Sequence, residues 1–119
     1  MDISSGNLAY LGDAVLELLV RKKLVMSSEK TKNLTDEALK YVTAASQSDA
    51  LERIEKLFTE EEADIYKRAR NNYHTANIPK SATALQYRRS TGFEAVFGYL
   101  YLKGDNERLE QLFNIAYGL

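Results

Sequence analysis

No cysteine occurs among the 119 residues, which excludes disulfides, thiolate zinc sites and cysteine nucleophiles together. Tryptophan is absent, and there is a single histidine, His74, so neither a histidine-rich metal site nor a Ser-His-Asp triad has support. One proline and six glycines leave room for long, uninterrupted structured stretches. No apolar run approaches the ~20 residues that span a bilayer. The N-terminus also lacks the basic-then-apolar order of a secretory leader. These absences point to a cytoplasmic protein with no membrane partner. Charge of one sign is lacking too, since the formal net charge is −1.

Hydrophobic residues make up 45% and charged residues 28%, the balance of a globular protein, and the length suits one domain over 1–119. The charges are segregated along the chain. From Asp49 to Asp64, acidic Asp49, Glu52, Glu55, Glu60, Glu61, Glu62 and Asp64 face only Arg53 and Lys56. From Ile65 to Phe93 there is no acidic residue, but there are Lys67, Arg68, Arg70, Lys80, Arg88 and Arg89. Such a segment can present a positive field to phosphate despite the neutral total, although the same pattern also suits an ordinary solvated face.

The hydrophobic spacing is all-helical. Leu8, Leu11, Val15, Leu18 and Leu19 predict a helix over Gly6–Lys23, and the apolarity of Ala14–Val20 predicts its burial on more than one face. Further helices are predicted over Lys32–Tyr41, Ala44–Phe58 and Glu60–Asn71, the last opened by the capping-box spacing of Thr59 and Glu62. Turn-forming residues from Asn71 to Ser81 precede a long helix over Ala82–Lys103. Gly104 then fits a C-terminal cap, and Asp105 an N-terminal cap for a helix ending near Tyr117. The expected architecture is a single all-α domain of six or seven helices.

Two carboxylates interrupt apolar runs. Asp13 lies in Tyr10-Leu11-Gly12-Asp13-Ala14-Val15, and Glu94 in Thr91-Gly92-Phe93-Glu94-Ala95-Val96-Phe97-Gly98. Buried carboxylates are costly unless paired, hydrogen-bonded or bound to metal. A mid-helix glycine costs ~1 kcal/mol relative to alanine, so Gly12 and Gly98 suggest helices in close contact. If the helices cross there, Asp13 and Glu94 point at one spot, and a pair of carboxylates with open positions suits Mg²⁺, with Mn²⁺ as a substitute. Ion pairs of Asp13 with Arg21, and of Glu94 with Arg88 or Arg89, are the alternative. Glu17, one turn beyond Asp13, suits either the site or a solvated edge.

The motifs around these two residues resemble the ribonuclease III catalytic domain, Leu11–Glu17 its first motif and Phe93–Gly98 its second. Tyr41–Gln47, Arg68–Asn72, Pro79-Lys80 and Tyr87–Ala95 are similar to segments of its compact bacterial branch, Mini-III ribonuclease. That branch lacks the separate double-stranded-RNA-binding domain of larger relatives. The resemblance implies a ribonuclease III-like fold and Mg²⁺-dependent cutting of double-stranded RNA, with Asp13 and Glu94 as catalytic metal ligands. It further implies maturation of large-subunit (23S) precursor ribosomal RNA, and a homodimer in which the first helices pack together. The larger family has a glutamate where this chain has Ala9 and an acidic residue where it has Thr91, which favours one well-held ion per site.

For RNA contact the candidates are Arg68, Arg70, Asn71, Lys80, Arg88 and Arg89, acting on phosphates and 2′-hydroxyls because A-form duplexes hide their base edges. The Asn71–Lys80 loop is the candidate for replacing the missing domain, and His74 is expected to be a loop histidine without a chemical role. Phe93 and Tyr99 are expected in the core rather than under bases. The main rival is a non-catalytic RNA-binding structural protein on the same fold, against which the presence of both Asp13 and Glu94 argues. A helical adaptor for an acidic partner would leave those two carboxylates unexplained.

Overall fold

The computed structural model describes residues 2–27, 33–72 and 82–118, which form six α-helices and one 3₁₀ turn, with no strand among them. The helices are α1 (Ser5–Ser27), α2 (Leu34–Val42), α3 (Ala44–Ile54), α4 (Glu60–Asn71), α5 (Ala84–Lys103) and α6 (Asn106–Tyr117). The all-α expectation therefore holds, and the boundaries move for local reasons. Helix α1 runs four residues further than its apolar stripe suggests. Helix α3 stops at Ile54 and tightens into a 3₁₀ turn over Glu55–Leu57. Helix α5 starts two residues later than expected, because Thr83 caps it: its hydroxyl accepts from Gln86 N while the Gln86 side chain accepts from Thr83 N. The reciprocal cap foreseen between Thr59 and Glu62 is present. Gly104 takes a left-handed conformation (φ 79°) that closes α5, and Asp105 caps α6 by accepting from Arg108 N.

Helix α5 is the axis of the core. Phe93, Ala95, Val96 and Phe97 are completely buried in it, and α1, α3, α4 and α6 all pack on it. Phe93 and Tyr99 are core residues, as expected. The tightest seam is the crossing of α1 and α5. A Cβ placed on Gly12 would overlap the backbone carbonyl of Glu94, and one placed on Gly98 would overlap the carbonyl of Leu8. The two backbones thus touch with no side chain between them, as the two mid-helix glycines suggested.

A second anchor joins α4 to α6. The Arg108 guanidinium donates to both carboxylate oxygens of Glu62, at 2.9 and 2.8 Å, and to the Leu57 carbonyl at 2.7 Å. Arg108 and the Thr59 cap outweigh the cost of burial and hold Glu62 below the usual carboxylate pKa. Arg53 donates to the Ala116 carbonyl at 2.8 Å and the Tyr117 hydroxyl to the Tyr41 carbonyl at 2.9 Å, which ties the end of α6 to α2 and α3.

Adding one methyl at the α1–α5 crossing should be costly. Gly98→Ala is expected to lose about 2–3 kcal/mol, since overpacking here meets backbone that cannot rotate away. Gly6→Ala, with nothing nearby, should gain up to about 1 kcal/mol from helix propensity. Denaturant midpoints of the two variants check this, and equal effects would contradict the seam.

Candidate active site

Gly12 lies against the Glu94 backbone, so the next residue of α1, Asp13, stands beside the Glu94 side chain. The two carboxyls are close enough to interact by charge and by a side-chain hydrogen bond. The crossing thus brings together the two residues that the sequence singled out. One part of that expectation fails. Asp13 is exposed, as are Ala14 and Leu18, so α1 is not wrapped on all sides. Its outer apolar stripe lies at the surface of the single chain, and Glu94, half-buried, is the more enclosed partner of the pair.

Burial, first, and the neighbouring negative charge of Asp13, second, push the Glu94 carboxyl up to about 9. Gln47, in the first turn of α3, acts in the opposite sense through its side chain. Such a pair cannot carry two negative charges at neutral pH without a proton or a cation between them. Its chemistry fits a divalent cation: two oxygen donors, one open to solvent. Among the described residues no third His, Cys, Asp or Glu joins them, so remaining ligands would be water or substrate oxygens.

Two of the alternative partners, Arg21 and Arg89, are engaged elsewhere. Arg21 approaches Glu17 at 4.0 Å on the outer face of α1, which assigns Glu17 to a solvated edge. Arg89 donates to the Ser48 carbonyl at 3.3 Å and approaches Glu52 at 4.0 Å. The two places where acidic residues were missing are closed. Ala9 is packed in the core, and the Thr91 hydroxyl donates to its own helix at the Tyr87 carbonyl (2.9 Å).

The candidate RNA-contacting residues divide. Helices α4 and α5 run antiparallel, with Glu61 near Lys103 (3.6 Å) at one end and Tyr66 against Gly92 towards the other. Arg68, Arg70 and Asn71 at the end of α4 therefore share one end of the molecule with Arg88 and Arg89 at the start of α5. Arg70 lies 5.4 Å over the Tyr66 ring and donates to Asn71 Oδ1 at 3.2 Å, while exposed Arg68 approaches Asp64 at 3.3 Å. Arg88 and Arg89 are both half-buried, and Arg89 is turned towards α3. At 1.5 Å per residue, Arg88 and Arg89 stand roughly 7–9 Å along α5 from Glu94. Lys80 and His74 lie outside the described residues. A broad open depression lined by Glu60, Glu61, Glu62, Asp64 and Arg108 lies away from the carboxylate pair, and its acidic rim does not suit phosphate. Sequence reasoning missed Gln47: a glutamine near a helix start gives no periodic or charge signal, and only the packing of α3 on α5 brings it to Glu94.

The sign of the pH effect follows from Glu94. Its folded pKa, about 9, lies above the ordinary 4.5, so folding favours the protonated form. That contribution is complete below about pH 4.5 and is lost as pH rises towards about 9. In EDTA the melting temperature should therefore fall across this window relative to Glu94→Gln, which cannot ionise. A constant difference between the two proteins would refute the coupling.

Comparison with known proteins identifies the family. The ribonuclease III domain family matches residues 6–105, which include both carboxylates. A Mini-ribonuclease 3 of Streptococcus pneumoniae is 47% identical over 109 residues, covering 88% of this chain and 84% of the relative. A Mini-ribonuclease 3 of a Thermoanaerobacter species is 43% identical over 110 residues, covering 92% of this chain and 77% of the relative. A crystal structure of a Fusobacterium nucleatum protein superposes with a TM-score of 0.87 at 32% identity, over 98% of this chain and 93% of that one. With its helical fold, its crossing of α1 and α5 and these matches, the chain belongs to the ribonuclease III family, in the Mini-ribonuclease 3 branch.

Proposed function

We propose that this ribonuclease, with 1–119 acting as one endonuclease domain, is a cytoplasmic, homodimeric, Mg²⁺-dependent enzyme that cuts double-stranded RNA. Its natural substrate in this reading is precursor large-subunit (23S) ribosomal RNA. The observation that carries the reading is the meeting of Asp13 with a largely enclosed Glu94 at the α1–α5 crossing, where burial and then the Asp13 charge push the Glu94 carboxyl up to about 9. The Mini-ribonuclease 3 relatives support the RNA class, and no helix among the described residues is long and apolar enough to cross a membrane.

Asp13 and Glu94 would hold the ion, Asp13 from the solvent side and Glu94 from the helix seam. Mg²⁺ bound there would supply an acidified water, a neutralised phosphate oxygen and a counter-charge for the leaving oxygen. Asp13, being exposed, can reorient as a phosphate arrives, whereas Glu94 is held by the packed centre of α5. Arg68, Arg70, Asn71, Lys80, Arg88 and Arg89 would position the duplex through phosphates and 2′-hydroxyls, with Arg89 acting mainly by bracing α5 on α3.

One site cuts one strand, so a duplex calls for two sites. Tyr10 (86% exposed), Ala14 and Leu18 (62% exposed) recur every four residues on the open face of α1, beside a groove formed with Tyr101 and Leu109. Exposed apolar stripes of this kind mark interfaces, and a two-fold pairing through α1 would place two Asp13–Glu94 sites on one assembly.

Three outcomes are expected. Asp13→Asn and Glu94→Gln should abolish cleavage of a long RNA duplex in Mg²⁺ while leaving duplex binding in EDTA largely intact; turnover at the wild-type rate in either would remove that residue from the mechanism. Arg70→Ala and Lys80→Ala should weaken binding with a shallower dependence on salt, and unchanged affinity at all salt concentrations would end their assignment. Leu18→Glu should give monomers in light scattering; a persistent dimer would move the interface off α1. Wild-type binding without any cutting would favour the structural RNA-binding reading.

A further inference from the structure

Three polar or charged side chains are fully enclosed among the described residues: Glu62, Ser90 and Gln47. Glu62 is matched by Arg108, and Ser90 donates to the Tyr87 carbonyl at 2.8 Å. Gln47 differs. It is 2% exposed, its Nε2 is sealed from solvent, and that nitrogen completes no hydrogen bond among the described residues. Its side chain acts on the Glu94 carboxyl across the packing of α3 on α5, in the sense that favours the charged form. Buried amides without a partner are costly and rare enough to call for a reason.

The placement of Gln47 is fixed from both sides. Thr43 caps α3 by accepting from Ser46 N at 3.1 Å, which sets the turn that carries Gln47. The Tyr117 hydroxyl holds the Tyr41 carbonyl just upstream, and Arg53 holds the end of α6 just downstream. The amide therefore meets Glu94 from a braced helix start and not from a loop. A carboxylate that holds a cation is ionised and accepts hydrogen bonds strongly, which suits an enclosed amide nitrogen that has no other acceptor. Groups that orient metal ligands in this manner commonly change metal affinity 10–100-fold.

We propose that Gln47 is a positioning residue of the cation site, whose amide N–H donates to the ionised Glu94 carboxylate and fixes the oxygen that turns towards Asp13. The proposal rests on the reading of Asp13 and Glu94 as holders of a divalent cation.

Mn²⁺ binding to the full chain, followed by electron paramagnetic resonance, tests it with wild type, Gln47→Met, Glu94→Gln and the double variant. Gln47→Met should weaken Mn²⁺ binding about tenfold or more. Its melting temperature in EDTA should be unchanged or higher, since an unpaired amide leaves the core, whereas a packing role would lower it. In the Glu94→Gln background the same change should have no further effect on residual binding. On duplex RNA, kcat should fall with KM unchanged. Wild-type affinity in Gln47→Met, with Glu94→Gln impaired, would overturn the role of Gln47 alone. An equal loss in both backgrounds would mark a packing effect and overturn it as well. Mn²⁺ binding indifferent to Glu94→Gln would overturn the cation reading, and this proposal with it. If Gln47→Met does not fold, Gln47→Asn, which keeps the amide but withdraws it by one methylene, carries the same comparison.

Discussion

The contact on which the rest depends is backbone against backbone, where α1 and α5 cross at Gly12 and Gly98. Side chains at a helix crossing can change rotamer and absorb small errors, but carbonyl groups in regular helices cannot. The relative position of the two helices is therefore set to within a fraction of an ångström. Asp13 follows Gly12 directly, and Glu94 contributes the carbonyl that Gly12 touches, so the carboxylate pair inherits that rigidity. A metal site needs its ligands held in this way before the ion arrives, because their mutual repulsion would otherwise move them apart.

The remaining elements act as supports for that crossing. Helix α3 brings Gln47 to Glu94 and receives Arg89 at the Ser48 carbonyl. Helix α4 packs Tyr66 on Gly92, again where a larger residue would not fit. Helix α6 binds the two together, through Arg108 to Glu62 on one side and its Ala116 carbonyl, which accepts from Arg53, on the other. The Glu62–Arg108 pair is buried but fully hydrogen-bonded, which is the condition under which enclosed charges are tolerated. Glu94 is the opposite case, a largely buried carboxyl beside another carboxyl and far above its ordinary pKa. One molecule thus holds one enclosed acid matched by a cation and another set beside a second carboxyl, and the latter belongs to the proposed cation site.

Much of this was legible in the residues. Helical periodicity located α1, α3, α4 and α5, and the Thr59–Glu62 cap fell where the spacing put it, because local hydrogen bonds depend on local sequence. The pair Asp13–Glu94 and the glycines beside them were readable as acids in apolar runs and as helix weakeners that had to have a packing reason. The exposure of Asp13 and Leu18 was not readable, since an apolar stripe looks the same whether it faces a core or a partner. Gln47 was hidden for a different reason: its role depends on a contact 47 positions away in sequence, and nothing in a helix start reveals what lies across from it. The end of α3 at Ile54 was likewise set by tertiary packing, because Glu55–Leu57 are good helix formers that nonetheless tighten into a 3₁₀ turn.

The glycine crossing also sets where this scaffold can change. Surface substitutions on α2 or on the outer side of α6 alter solubility or association and leave the paired acids where they are. A single carbon added at Gly12 or Gly98 pries two helices apart and carries Asp13 and Glu94 with them. Tolerance to mutation should therefore be sharply uneven, with two of the smallest residues in the chain among the least replaceable, and a redesigned variant has to treat α1 and α5 as one welded part.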